Sequence, residues 1–268
     1  MKRKSPVKKN LLKGMIKMPE KKVEDKDQSG IQSYLYASDK ERLRNLVSSM
    51  TQEAAASIRK AVLALKASDI EMARKVIDED DLIDEKEEQI DQECLYSIAM
   101  RQPVREDLRF VYAVMKIVVD LERIGDQSVN IAMNVLDLKG NMRFPEEVIP
   151  FVENMAEENI KMLEEVMAAF TKEDAEVICS ARERRKVIKE TKRNAIVKIN
   201  ELFISEKSNL SEGDRLQLFY SILLTLRNLS RISDHTLNLA ERVSFIATGI
   251  SPLTSKRNVR KKADTASA

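Results

Sequence analysis

The chain has 268 residues, of which 43% are hydrophobic and 34% charged, so it can bury a substantial core and is not disordered overall. Only six Gly, six Pro and no Trp are present, too few turn formers for an all-β fold, and no apolar run is long enough to cross a bilayer. The net charge of +2 is segregated: residues 1–17 carry +7 and residues 256–268 carry +4, which leaves −9 on the body between them. Such tails are either solvated ends or contacts for anionic partners. The acidic body argues against a specific nucleic-acid binder.

In chain order, Ser38-x-x-Glu41 and Ser68-x-x-Glu71 read as capping boxes that open helices over 39–66 and 69–101. Pro103 suits the first turn of a third helix, which reaches Asp137 with Gly140 just past its end. Residues 141–145 form the clearest linker. Helices over 146–170, 173–206 and 212–248 follow, with Gly249 and Pro252 as stop signals. The expected division is a basic, disordered N-terminal segment 1–36, three-helix repeats over 37–142 and 143–250, and a basic tail 251–268.

The repeat is visible in the letters. Leu121 to Ala132 (LERIGDQSVNIA) lies 108 residues before Leu229 to Ala240 (LSRISDHTLNLA), with six of twelve positions identical. At an offset of 105, Leu65 to Glu85 runs parallel to Phe170 to Glu190. The fold class is therefore all-α: two tandem three-helix bundles built from six long helices.

Acids occupy positions where apolar residues are due. The seam of the third helix is Leu108, Val111, Met115, Val118, Glu122, Gly125, Val129 and Ala132, with Asp126 one turn beyond Glu122. The second helix presents Val76, Asp80, Ile83, Glu87, Ile90 and Cys94, with Asp84 and Asp91 beside them. Carboxylates turned into a bundle need a compensating cation. Either a neighbouring arginine supplies it, Arg101, Arg105 and Arg109 being candidates, or a bound metal does. Carboxylate sets of this kind suit Mg, Mn or Fe. The second repeat has Arg185, Lys189 and Lys192 in place of Asp80, Asp84 and Glu87, and Ser230 in place of Glu122; only Asp234 remains. That repeat is either structural or turns a basic face to an acidic surface. His235, the sole histidine, reads as a packing or capping residue rather than a ligand. Cys94 and Cys179 lack zinc or CxxC spacing and read as reduced, packed thiols.

The stretch Arg101-Gln102-Pro103-Val104-Arg105-Glu106-Asp107-Leu108-Arg109, followed by Asp120-Leu121-Glu122-Arg123-Ile124-Gly125-Asp126, resembles the PhoU family of phosphate-uptake regulators. The Asp80-x-x-Ile83-Asp84-x-x-Glu87 segment and Arg231 to His235 extend the resemblance over about 40–250. It implies two three-helix bundles side by side and a divalent or trivalent metal ion, iron or else Mg, Mn or Zn, held mainly in the first repeat. Glu122 and Asp126 match the family's metal motif, with Asp80 and Asp84 as the opposing pair. It further implies a cytoplasmic, non-catalytic adaptor between a phosphate ABC-transporter ATPase and a sensor histidine kinase, meeting the membrane only through its partners and restraining the phosphate-starvation response. A homodimer is expected from leftover apolar stripes. The rival from the residues themselves is a carboxylate-bridged metal enzyme, disfavoured because such bundles pair Glu with His.

Overall fold

The computed structural model describes residues 28–138, 142–204 and 210–250, with side chains from residue 37 onward. The basic tails, Gly140, Asn141 and Pro252 lie outside the described residues. The described residues form seven α-helices: α1 (Gln28–Ala67), α2 (Ile70–Asp78), α3 (Asp80–Arg101), α4 (Arg105–Asp137), α5 (Ile149–Lys172), α6 (Val177–Ile204) and α7 (Glu212–Thr248). No strand occurs among the described residues, and no helix among them is long and apolar enough to cross a membrane. The six-helix plan holds with one refinement: the second helix is broken at Glu79 into α2 and α3.

That break follows from the run Asp78-Glu79-Asp80-Asp81, in which like charges crowd and Asp is a poor helix former. Glu79 closes α2 through its N–H to the Lys75 carbonyl at 2.9 Å, and α3 restarts with Asp80 and Asp81 in its first turn, where the helix dipole favours acids. Other boundaries also shift. No proline interrupts 28–38, so α1 runs through Ser38 instead of starting there. Ser68 has a left-handed backbone (φ 52°), and the cap of α2 is Asp69, whose carboxylate accepts from the Met72 N–H at 2.9 Å. Gln102 ends α3 in a left-handed conformation, so Pro103 falls in the connection and α4 begins at Arg105. α7 matches its predicted span, capped by Ser211 and stopped by Gly249 at φ 73°.

The most extensive helix contact joins α4 to α7, one from each repeat. The two run antiparallel: Tyr112 meets Phe245 (centroids 6.4 Å apart), Asp120 meets His235 (2.9 Å), and Asn134 meets Thr225 (3.1 Å). Shifting Asp120 and His235 by the 108-residue offset gives Asn228 and Gln127, so the repeats are related by an approximate two-fold axis across this pair. α1 and α5 pack on each other behind it, and Phe110 stacks on Phe170 at 5.9 Å to tie the repeats into one core. α3 covers α4 in the first repeat as α6 covers α7 in the second.

The seam residues Val111, Val118, Gly125, Val129 and Ala132 are buried, as are Val76, Ile83, Ile90 and Cys94. Met115 and Glu122 are half-buried, and Leu108 is exposed in the first turn of α4. Cys94 is packed, and burial pushes its thiol up to about 12, whereas Cys179 is exposed rather than packed.

Candidate functional site

Helices α3 and α4 approach closely at one place, and Gly125 is the reason. A Cβ there would fall 2.9 Å from Ile83 Cδ1 and 3.2 Å from Asp80 Oδ1, so only hydrogen fits between the helices. The close approach sets the acidic face of α3 against Glu122, one turn before Gly125. Carboxylate oxygens of Asp84, Glu87 and Glu122 all lie within 4.8 Å of one another. Asp80 and Asp126 flank this trio. Asp126 is turned partly aside to Arg123 at 3.3 Å, and Glu122 reaches the same guanidinium at 3.4 Å.

Five acids meet one local arginine, and the electrostatics register the imbalance. Burial, then Asp126, push Glu122 up to about 7, with Glu87 and Asp84 adding to the rise and Arg123 opposing it. Burial, then Asp84, Asp126 and Asp81, push Asp80 up to about 6. Asp84 and Glu87 are raised as well, each first by burial and then by neighbouring acids. The arginines expected to compensate lie elsewhere. Arg101 bonds Asp39 at 2.9 Å, Arg109 lies against the end of α7 at Gly249, and Arg105 is exposed at the start of α4. Lys86, on α3 itself, turns away to Glu53 and Ser49 on α1. A set of oxygen donors held together against mutual repulsion, Glu87 and Glu122 half-buried and Asp84 exposed, with Gly125 clearing the space, fits a hard or borderline cation. Asp84, Glu87 and Glu122 would hold it directly, with Asp80 and Asp126 within electrostatic reach.

The corresponding place in the second repeat is built differently. Arg185 of α6 donates to Asp234 of α7 at 2.6 Å, so the single remaining acid already has its cation within the chain. His235 points to the repeat junction instead. Since an ionised carboxylate only accepts, its Nδ1–H donates to Asp120, which also accepts from Asn238 at 3.1 Å. No histidine stands near the acidic trio, contrary to what a Glu/His dimetal enzyme would need. Sequence reasoning missed Gly125 as the spacer, although its place between Glu122 and Asp126 marked it. It also missed Arg123, which is adjacent to one acid and three residues before another.

Comparison with known proteins decides the family. A family model described as the PhoU domain matches twice, over residues 47–135 and 152–243. The chain belongs to the PhoU family. A phosphate-specific transport system accessory protein PhoU homolog of Rhizobium meliloti is 31% identical over 210 residues, covering 78% of this chain and 86% of that protein. Homolog 1 of Thermotoga maritima is also 31% identical, over 77% of this chain and 86% of its own. Among solved structures, PhoU from Pseudomonas aeruginosa superposes with a TM-score of 0.72 at 28% identity, over 80% of this chain and 100% of that one. The phosphate transport system regulatory protein PhoU from Streptococcus pneumoniae gives 0.71 at 27% identity, over 80% of this chain and 98% of that one. The PhoU relatives are named as accessory proteins, and the chain stands with them as a non-enzymatic regulator.

Proposed function

We propose that this chain is an accessory regulator of a phosphate-specific transport system, working as a metal-loaded adaptor. The observation that carries the reading is the double PhoU match over a chain whose first repeat gathers Asp84, Glu87 and Glu122 within 4.8 Å. A bound cation there would neutralise acids that otherwise repel one another and would stiffen the α3–α4 face for docking. Asp80 and Asp126 complete the charge around it. Iron, or another divalent ion such as Mg, Mn or Zn, suits the all-oxygen donor set.

The partners in this reading are the transporter's ATPase and a sensor histidine kinase, both met at the cytoplasmic side, with the protein restraining the starvation response when phosphate is plentiful. The two repeats, taken as 37–142 and 143–250, then divide the work: the first holds metal, the second carries an internal ion pair. A homodimer belongs to the same reading. It is supported by the exposed Leu95, Tyr96, Met100, Val104, Leu108 and Tyr112 around the α3–α4 connection.

The test is affinity purification from the native cells in high and in low phosphate, with mass spectrometry of what is retained. Recovery of a phosphate-transporter ATPase or a histidine kinase, changing with phosphate, is the expected result. Recovery of neither in both conditions overturns the adaptor.

A further inference from the structure

The second repeat inverts the charge of the first at equivalent positions. On α6, Arg185, Lys189 and Lys192 share a face at i, i+4 and i+7. The Arg185–Asp234 bond fixes the antiparallel register of α6 and α7, and seven residues from that bond on each helix Lys192 comes opposite Arg227. The repulsion that Arg227 and Lys189 exert on Lys192 reports the same proximity.

The acids nearest this cluster are engaged by other cations. Asp234 is taken by Arg185. Of the neighbouring acids on α6, Glu183 pairs with Lys186 at 2.7 Å and Glu190 with Arg193 at 4.0 Å. Among the described residues, Lys189, Lys192, Arg227 and Arg231 have no carboxylate within ion-pair distance. Lys192 is half-buried, and burial pushes its ammonium below the usual lysine range against the pull of Asp234. Arg227 and Arg231 also border a polar groove of about 450 Å³ between α7 and α4, in which the amides of Asn130 and Asn134 join them and Asp137 is the one acid.

We propose that the α6–α7 face of the second repeat binds a phosphate-class oxyanion, held by Lys189, Lys192 and Arg227 with Arg231 at its edge. Two ammonium groups and a guanidinium supply more positive charge than a halide or a single carboxylate can offset. A tetrahedral anion of charge near −2 presents several acceptors and can take donors from both helices at once. Its binding would offset the repulsion that Lys189 and Arg227 exert on Lys192. The site is separate from the acidic trio and stands whether or not metal is held there.

Calorimetric titration of the full-length protein with inorganic phosphate and with pyrophosphate, at constant ionic strength with chloride as comparator, tests it. The expected result is saturable binding of one anion per chain, weakened at least roughly tenfold in Lys192→Gln/Arg227→Gln and retained in Lys192→Arg. Removing like charges should leave the double variant melting no lower than the parent, which separates lost binding from lost folding. Binding of both anions assigns a free phosphate site, and binding of pyrophosphate alone assigns a condensed or esterified phosphate; either supports the proposal. Absence of saturable binding, or equal affinity in the double variant, overturns it.

Discussion

The two repeats solve one packing problem with opposite charges. In the second, Arg185 of α6 meets Asp234 of α7 and the seam is closed by groups the chain itself carries. In the first, the equivalent helices bring acid against acid, with Arg123 alone between Glu122 and Asp126. The same helices pack in both places, so the seam's polarity is not what holds the bundle together; Ile83 and Ile90 on one side and Ile188 and Ala195 on the other do that. A buried or half-buried like-charge cluster is costly to keep. An acidic cluster of this kind stands in only one of the two repeats, and the other carries basic residues at the same positions, which points to a cation as its ligand rather than to a need of the fold.

The comparison can be broken most directly by making the first repeat resemble the second. Asp80→Arg places a guanidinium where Arg185 stands, free to pair with Asp126 as Arg185 pairs with Asp234. Metal affinity, measured by competition with a chromophoric chelator, should fall on the order of a hundredfold or more, because two units of charge change beside the site. An unchanged affinity would mean the cation is held elsewhere.

Gly125→Val tests the approach of α3 to α4 instead of its charge. The added carbons meet Ile83 and Asp80, so urea unfolding should show a loss of about 3 kcal/mol together with lost metal binding. Wild-type stability would show that the helices part without cost.

The pH dependence sharpens the contrast further. Asp80 and Glu122 have folded values near 6 and 7, above the unfolded 3.8 and 4.5, so the folded protein holds protons that the unfolded chain has released. The cluster's cost is absent below about pH 4 and grows as pH rises towards 7, reaching about 2 kcal/mol in the metal-free protein after allowance for its partial exposure. Read as the difference between the parent and Glu122→Gln, melting temperature should show the variant gaining on the parent between pH 5 and 7.5. A constant difference would contradict this.

The smallest expected effect concerns the junction. Asp120→Ala leaves His235 and Asn238 without their shared acceptor and should cost about 1 kcal/mol in urea unfolding, with no change in metal affinity. A change in metal affinity would show that the repeats communicate through Asp120.

Much of this was legible in the sequence because the information is periodic. The 108-residue echo of LERIGDQSVNIA announces the tandem bundles, and the 3–4 spacing puts Glu122 and Glu87 on the seams of two helices of one repeat. Charge compensation was less legible. Arg105 and Arg109 precede the acidic seam in sequence, yet helix α4 holds them a full three turns or more from Glu122, and Arg101, at the far end of α3, finds Asp39 instead. Capping was misread for a related reason: Ser68 and Asp69 compete for one role, and the carboxylate wins by taking the Met72 N–H. Which acids converge also depended on the break at Glu79 and the clearance at Gly125. Both are matters of helix–helix distance that a one-dimensional pattern does not contain.

Metal content per chain tests the central claim most directly. Plasma mass spectrometry on purified, metal-reloaded protein should find metal in the parent, little in Glu87→Gln/Glu122→Gln, and the parental amount in Arg185→Ala/Asp234→Ala. Equal metal in all three, or none in the parent, would contradict the account of a cation site confined to the first repeat.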